Sequence, residues 1–188
     1  ILNVANASSA KLAQNQLLSD LIQARGVGTG AKYRDEDLRY ERVIIMTDAD
    51  VDGAHIASLL ITFFYQEMPE LIENGHLFLA VPPLFKLKHG SKSVYARDEK
   101  HRQELLKSEF AANAKVEVNR FKGLGEMNSE QLKETTMDPR KRTLLKVEVD
   151  VNDKAAISEA VNALMGSKPE ARFRFIQERA AFAKDLDI

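Results

Sequence analysis

Three aspartates at alternate positions are the residues of this chain best suited to chemistry. Asp48, Asp50 and Asp52 follow the apolar, β-branched run of residues 43–46, which is typical of a buried strand. In an extended segment, side chains two residues apart point to the same side and lie about 7 Å from each other. Carboxylates so placed repel one another unless a cation lies among them, and Mg²⁺ prefers such oxygen ligands. The motif therefore predicts a site where a divalent metal ion meets a phosphate group.

The same aspartates fit other kinds of site. The spacing Asp-x-Asp-x-Asp-Gly opens a calcium-binding EF-hand loop, which needs a glutamate at its twelfth position. Counted from Asp48, that position is Leu59, and the segment before the motif is a predicted strand rather than a helix, so this interpretation fails. Two alternatives stay open. One is a phosphohydrolase that uses Asp48 as its nucleophile, and the other is a solvated acidic turn that only caps the next helix.

The composition is that of an ordinary globular protein. The chain has 188 residues, 44% of them hydrophobic and 29% charged, which fits one domain or two small ones. Cysteine is absent, so disulfides and thiolate metal sites are excluded. The net charge is −1, so binding to nucleic acid would need a local basic face. No apolar stretch reaches membrane-spanning length, and we expect no membrane partner.

Hydrophobic periodicity predicts an α/β order of elements in the first half of the chain. A helix is expected over residues 9–25, ending at Gly26. A strand over 43–47, an apolar and mostly buried helix after it, and a strand over 76–81 form a predicted βαβ unit. Ligands gather at the carboxyl ends of the strands in such units, and the three aspartates lie at one of these ends.

The second half contains a glycine-rich basic segment. Residues 120–127 include Arg120, Lys122 and two glycines, which would let a phosphate backbone approach closely. A tight turn with solvated basic side chains explains the same residues. The elements predicted around this segment are a hairpin centred on His89-Gly90, helices over 98–109, 128–135 and 153–165, strands near 116–118 and 143–149, and a basic helix from Pro169.

Several motifs in one order resemble a known family. They are TDADVDGAHI at residues 47–56, GHLFLAVPPLFKL at 75–87 and RFKGLGEMNSEQLKETTMDP at 120–139. With the terminal Asp-Leu-Asp-Ile, they are similar to the B subunits of bacterial type IIA topoisomerases over essentially the whole chain. The tripeptide after Ile56, Ala-Ser-Leu, resembles the topoisomerase IV branch more than the DNA gyrase branch, which is kept as the alternative.

The resemblance implies a fold and an activity. It implies a TOPRIM domain over residues 1–97, with a Rossmann-like parallel sheet and helices on both faces, and a smaller α+β tail region over 98–188. In this family the TOPRIM metal site cleaves and religates DNA with a tyrosine of the A subunit, in an A2B2 assembly. Mg²⁺ is the implied cofactor, whereas ATP is bound elsewhere in the full-length protein and not by this segment.

Roles of single residues carry over by motif position. Asp48 corresponds to the shared metal ligand, Asp50 to the ligand of a second metal ion and Asp52 to an outer or variable ligand, and the first two are the implied catalytic residues. The implied DNA contacts, each equally explained by an ordinary surface or capping role, are Asn3, His55, Arg120, Lys122 and Arg172.

One family motif has no counterpart in this sequence. The first TOPRIM strand of the family carries a glutamate in a Glu-Gly-Asp-Ser-Ala motif, which does not occur here. We therefore expect a fragment of a longer protein that lacks one core strand and one metal ligand, and that does not cleave DNA alone. The alternative from another class is a non-catalytic module that holds DNA and docks the A subunit. The resemblance also implies a cytoplasmic, chromosome-associated bacterial protein and a quinolone target.

Overall fold

Helices and two three-stranded sheets make up the structure, a computed structural model that describes residues 1–182, and they confirm the predicted α/β class. The chain divides into two compact units, each discontinuous in sequence. The first comprises Ile1–Val43, His55–Leu77 and the described residues from Lys146 onward. The second comprises Ile44–Ala54 and Phe78–Leu145, so it contains the three aspartates and the glycine-rich segment together.

The elements follow the predicted order closely. Within residues 1–182 the α-helices are α1 (Ser9–Gln14), α2 (Gln16–Arg25), α3 (Val51–Glu67), α4 (Pro69–Glu73), α5 (Glu99–Ser108), α6 (Ser129–Leu132), α7 (Lys154–Met165) and α8 (Pro169–Arg179). The strands are β1 (Val43–Ile45), β2 (Leu77–Ala80), β3 (Phe85–His89), β4 (Lys92–Ala96), β5 (Glu117–Arg120) and β6 (Leu144–Lys146). The predicted βαβ unit is therefore present as β1, α3 and β2.

The prediction of a single helix over residues 9–25 is wrong, because the helix is interrupted at Asn15. This residue adopts an extended conformation (φ −81°, ψ 103°) between α1 and α2. Its side-chain oxygen accepts a hydrogen bond from the Leu18 N–H at 3.1 Å and so caps the second helix. Asparagine competes in this way with the helical hydrogen-bond ladder, and a hydrophobic stripe does not reveal the competition. The predicted end at Gly26 is confirmed by its left-handed conformation (φ 81°).

The second unit contains an antiparallel sheet in the order β4-β3-β5. The predicted hairpin is confirmed, with β3 and β4 paired so that Leu87 lies opposite Val94. On the other side of β3, Leu87 lies opposite Val118 of β5. The pairing continues past β5, since the Phe121 N–H donates to the Leu84 carbonyl at 2.8 Å. The start of the glycine-rich segment is thus an extension of a regular sheet.

The other sheet has the order β1-β2-β6, with β2 in the middle. At one end of β2 the Val147 N–H donates to the Leu77 carbonyl, and at the other the Val81 N–H donates to the Thr143 carbonyl. These two pairs run in opposite sequence directions, so β6 is antiparallel to β2, whereas the sheet implied by the resemblance is parallel. Among residues 1–182, none of the helices has the length and apolar character needed to cross a membrane.

The second half of α3 contributes two large side chains to the core of the first unit. Phe63 and Phe64 are fully buried, and their rings meet edge to face with centroids 5.3 Å apart. The prediction that this helix is mostly buried is wrong for its first turns, where Val51 is 65% and Ile56 is 39% exposed. An apolar composition shows that a helix packs somewhere, but it does not show over which of its turns.

Arg25, the last residue of α2, is an unusual member of this core. It is only 3% exposed, and its guanidinium carbon lies 5.0 Å from the centroid of the Phe64 ring. Within residues 1–182, its Nε, Nη1 and Nη2 atoms have no hydrogen-bond partner. Burial lowers the pKa of this guanidinium to about 10. A buried cation without hydrogen bonds opposes folding, and the ring contact offsets only part of that cost.

Replacing Arg25 by leucine is therefore expected to stabilise the protein. The Arg25→Leu variant fills the position with an apolar side chain and removes the desolvated charge. Its free energy of unfolding should therefore rise by about 1–3 kcal/mol. Chemical denaturation monitored by circular dichroism measures this change. The control is Arg34→Leu at an exposed position, which should leave stability nearly unchanged. A lower stability of Arg25→Leu would show that the guanidinium has a partner in solution.

Candidate functional site

The carboxylate of Asp48 is held by the backbone of the glycine-rich segment. Asp48 is exposed just after β1, and its Oδ1 accepts a hydrogen bond from the Leu124 N–H at 2.7 Å. Gly123 lies against the same group, because a Cβ added there would be 2.8 Å from the Asp48 carboxylate carbon. Real Cβ atoms essentially never come so close. The contact therefore requires glycine at position 123.

The part of the glycine-rich segment that makes this contact, residues 121–127, is fixed in place by its own residues. Phe121 and Met127 at its two ends are buried. Between them, the Lys122 N–H donates to the Glu126 carboxylate at 2.8 Å, and Gly123 precedes a single 3₁₀ turn over Leu124–Glu126. The Leu124 N–H is one of the donors that the start of such a turn leaves without an internal partner. Asp48 supplies the missing acceptor from outside the turn.

Asp50 caps helix α3. Its Oδ1 accepts a hydrogen bond from the Gly53 N–H at 2.7 Å, and its carbonyl accepts one from the Ala54 N–H at 3.0 Å. Gly53 also packs closely, since a Cβ added there would be 2.1 Å from the Asp48 carbonyl oxygen. The capping role that the sequence left open is thus present at Asp50. It uses one carboxylate oxygen and leaves the other for a second ligand.

The three aspartates are exposed and form no closed metal cluster within residues 1–182. Asp52 is exposed in the first turn of α3, and Asp48 and Asp50 are exposed as well. In the described part of the chain, no three histidine, aspartate or glutamate side chains converge as a metal cluster. Mg²⁺ usually takes only one or two carboxylates and completes its shell with water and phosphate oxygens. The donor set suits that mode of binding and does not form a closed protein cage.

Two predicted DNA contacts share the second unit with the aspartates. Arg120 is the last residue of β5, lies opposite Phe85 of β3 and is exposed. Lys122 is exposed in the segment that holds Asp48. The second unit therefore contains carboxylates and basic side chains on neighbouring segments. A metal ion and a phosphate group together need both kinds of charge.

The other three predicted DNA contacts lie in the first unit. Asn3 donates from Nδ2 to the Met165 carbonyl at 2.9 Å, and the Arg172 guanidinium donates to the Gly166 carbonyl. Both side chains therefore satisfy carbonyl groups at the carboxyl end of α7. His55 is exposed in α3. The structure gives Asn3 and Arg172 a structural role, and the DNA contacts of all three residues stay predictions.

The contact between Asp48 and the segment 121–127 is the feature that sequence reasoning missed. The two glycines predict either the approach of a phosphate or a tight turn, and neither interpretation involves Asp48. Gly123 meets the aspartate, whereas a Cβ added at Gly125 would meet nothing within 4 Å. The signal available in the sequence was a glycine with no helix or hairpin to require it. Such a residue often marks a close backbone approach.

Two family models match this chain. The model described as the Toprim domain matches residues 7–82, and that described as the DNA gyrase B subunit, carboxyl terminus, matches residues 113–177. The first match contains the three aspartates and the second contains the segment 121–127. The hydrogen bond from Leu124 to Asp48 therefore joins the two matched regions inside one compact unit.

Curated relatives match the chain along its whole length. It is 63% identical to the B subunit of DNA topoisomerase 4 from Bartonella bacilliformis and 64% identical to that from Caulobacter vibrioides, each match covering 100% of the chain. It is 47% identical to the B subunit of DNA gyrase from Spiroplasma citri, again over 100% of the chain. The chain spans only 27% to 29% of the length of these relatives.

Two substitutions at Asp50 separate its capping role from its charge. Asparagine caps helices about as well as aspartate, so Asp50→Asn should keep the stability of the wild type. Asp50→Ala loses the acceptor for the Gly53 N–H and should lose about 1 kcal/mol of the free energy of unfolding. Denaturant titrations of the two variants beside the wild type measure the difference. Equal stability of the alanine and asparagine variants would contradict the capping role.

Proposed function

Because this chain belongs to the B-subunit family of bacterial type IIA topoisomerases, we propose that it supplies metal ligands and DNA contacts for double-strand cleavage and religation. The higher identity to the topoisomerase 4 relatives than to the gyrase relative favours topoisomerase IV, with gyrase as the alternative. In the complete enzyme this centre would serve ATP-dependent strand passage. The observation that carries the proposal is the junction of Asp48 with a basic, glycine-containing segment.

The charges around this junction support phosphate chemistry. Asp48 and Asp50 each use Oδ1 for a backbone N–H, which fixes the carboxylates and leaves an oxygen on each for Mg²⁺. Arg120 and Lys122 are exposed and lie close in sequence to Leu124, whose N–H contacts Asp48. They would bind phosphates of the DNA backbone. Bound Mg²⁺ would neutralise charge on the phosphate and the leaving oxygen. The protein's own task is then to position two charged groups against one phosphodiester.

The proposed partners are DNA and an A subunit that carries the attacking tyrosine. Helix α8 has an exposed apolar face, with Phe173 61% and Ile176 64% exposed, and Phe182 follows it at 73%. Such a face is typical of a surface covered by another protein chain, and we assign it to the A subunit. ATP would be bound by another part of the full-length protein. A cytoplasmic, chromosome-associated location follows from these partners.

A second candidate function is a module that holds DNA and docks the A subunit without contributing ligands to the reaction. The observation in its favour is that the aspartates form no closed metal cluster within residues 1–182. The two functions differ in one measurable property. Only the first requires Mg²⁺ to bind at Asp48. The phosphohydrolase interpretation of Asp48 has no support from the matched family.

Mg²⁺ binding to this chain should depend on Asp48. We expect Asp48→Asn to keep the hydrogen bond from Leu124 through its amide oxygen but to lose the charge, and with it most of the affinity for Mg²⁺. Isothermal titration calorimetry with MgCl₂ measures this affinity. The matched control is Asp37→Asn, an exposed aspartate of the first unit, which should behave as the wild type. Equal binding by all three proteins would rule out the proposed metal site.

DNA binding should weaken with salt in proportion to the phosphates contacted. The slope of log K against log salt is negative, and removing one phosphate contact reduces its magnitude by about 0.9. We expect this loss for Lys122→Ala and for Arg120→Ala, measured by fluorescence anisotropy on a labelled duplex at several salt concentrations. Lys107→Ala, a change at the last turn of α5, serves as the charge-matched control. If the Lys122 and control variants give the wild-type slope, the segment does not contact phosphate.

A further inference from the structure

The close packing of Gly123 and Leu124 against Asp48 has a consequence for metal binding, and it rests on the proposed function. A ligating carboxylate rotates freely unless a second group holds it, and such supporting groups are a general feature of metal sites. Here the Leu124 N–H occupies Oδ1 of Asp48 at 2.7 Å. A hydrogen bond to a charged acceptor is stronger than one between neutral groups. One orientation of the carboxylate is thereby favoured before any ion arrives.

We propose that the backbone of Gly123 and Leu124 is the positioning element of the metal site, and that it selects Oδ2 as the oxygen through which Asp48 binds Mg²⁺. With Oδ1 engaged by the N–H, bidentate binding of the ion by Asp48 is disfavoured. Binding through one oxygen suits Mg²⁺, which demands near-octahedral geometry and keeps several waters. Gly123 is part of the element because any side chain there would enter the space of the carboxylate.

Position in the sequence gives this element a second property. Asp48 lies in the region matched as the Toprim domain, and Leu124 lies in the region matched as the carboxyl terminus of the gyrase B subunit. The metal affinity of the first region therefore depends on the conformation of the second. By thermodynamic linkage, Mg²⁺ must stabilise the contact between them as much as the contact stabilises Mg²⁺ binding. Binding of Mg²⁺ should therefore stabilise the contact of segment 121–127 with Asp48, just as that contact strengthens Mg²⁺ binding.

Two glycines of the same segment provide the test. Gly123→Ala places a methyl group 2.8 Å from the Asp48 carboxylate carbon, whereas the methyl group of Gly125→Ala meets nothing within 4 Å. Loss of a supporting group around a ligand typically costs about 10–100-fold in metal affinity. We expect that loss for Gly123→Ala in calorimetric titration with MgCl₂, and the wild-type affinity for Gly125→Ala. Wild-type affinity in both variants would overturn the inference.

A second measurement uses the unmodified chain, so that it does not depend on the folding of a variant. Hydrogen exchange of the Leu124 amide, followed by NMR, should slow when Mg²⁺ is added, because linkage strengthens the bond to Asp48. Unchanged exchange of this amide at saturating Mg²⁺ would count against the inference.

The Asp48→Asn variant separates this inference from the proposed function. If Asp48→Asn abolishes Mg²⁺ binding while Gly123→Ala does not weaken it, the metal site stands and the positioning role fails. If Asp48→Asn binds Mg²⁺ as the wild type does, the metal site itself is wrong and the inference falls with it.

Discussion

The close approach of two glycines to Asp48 is the constraint on which the candidate site depends. Gly53 packs against the Asp48 carbonyl oxygen and Gly123 against its carboxylate, and a Cβ at either position would lie within 3 Å of the aspartate. One contact fixes the turn from β1 into α3, and the other brings in a segment from far along the chain. Phe121 and Met127 at the two ends of that segment are buried, which anchors the segment on both sides of Leu124. The Leu124 N–H that donates to the carboxylate is therefore held in place.

Residues that the family would use for function also perform structural work in this chain. Asp50 caps α3, while Asn3 and Arg172 satisfy carbonyl groups at the end of α7. A structural and a chemical interpretation of such residues are therefore not exclusive. A carboxylate has several acceptor positions, so a backbone N–H can orient it while another oxygen remains for a metal ion. Only changes that keep one role and remove the other, such as aspartate to asparagine, can separate the two.

Local patterns in the sequence were sufficient to predict the βαβ unit and the hairpin around Gly90, because periodicity and turn residues act over a few positions. They were insufficient at Asn15, where a side-chain cap overrides a continuous hydrophobic stripe. Local patterns cannot predict the contact between Leu124 and Asp48, because the two residues are 76 positions apart in the sequence. Its trace in the sequence is a single glycine, and nothing about a glycine reveals which group approaches it.

The two compact units do not coincide with the predicted sequence regions 1–97 and 98–188. A boundary between residues 97 and 98 remains a prediction about sequence regions, yet both sides of it contribute to the second unit. A polypeptide ending at residue 97 would keep all three aspartates and lose the donor that orients Asp48. A part of this chain that keeps the oriented Asp48 carboxylate must therefore include Leu124. In the proposed site, the carboxyl-terminal region would take part in metal binding through the Leu124 N–H, which donates to the Asp48 carboxylate.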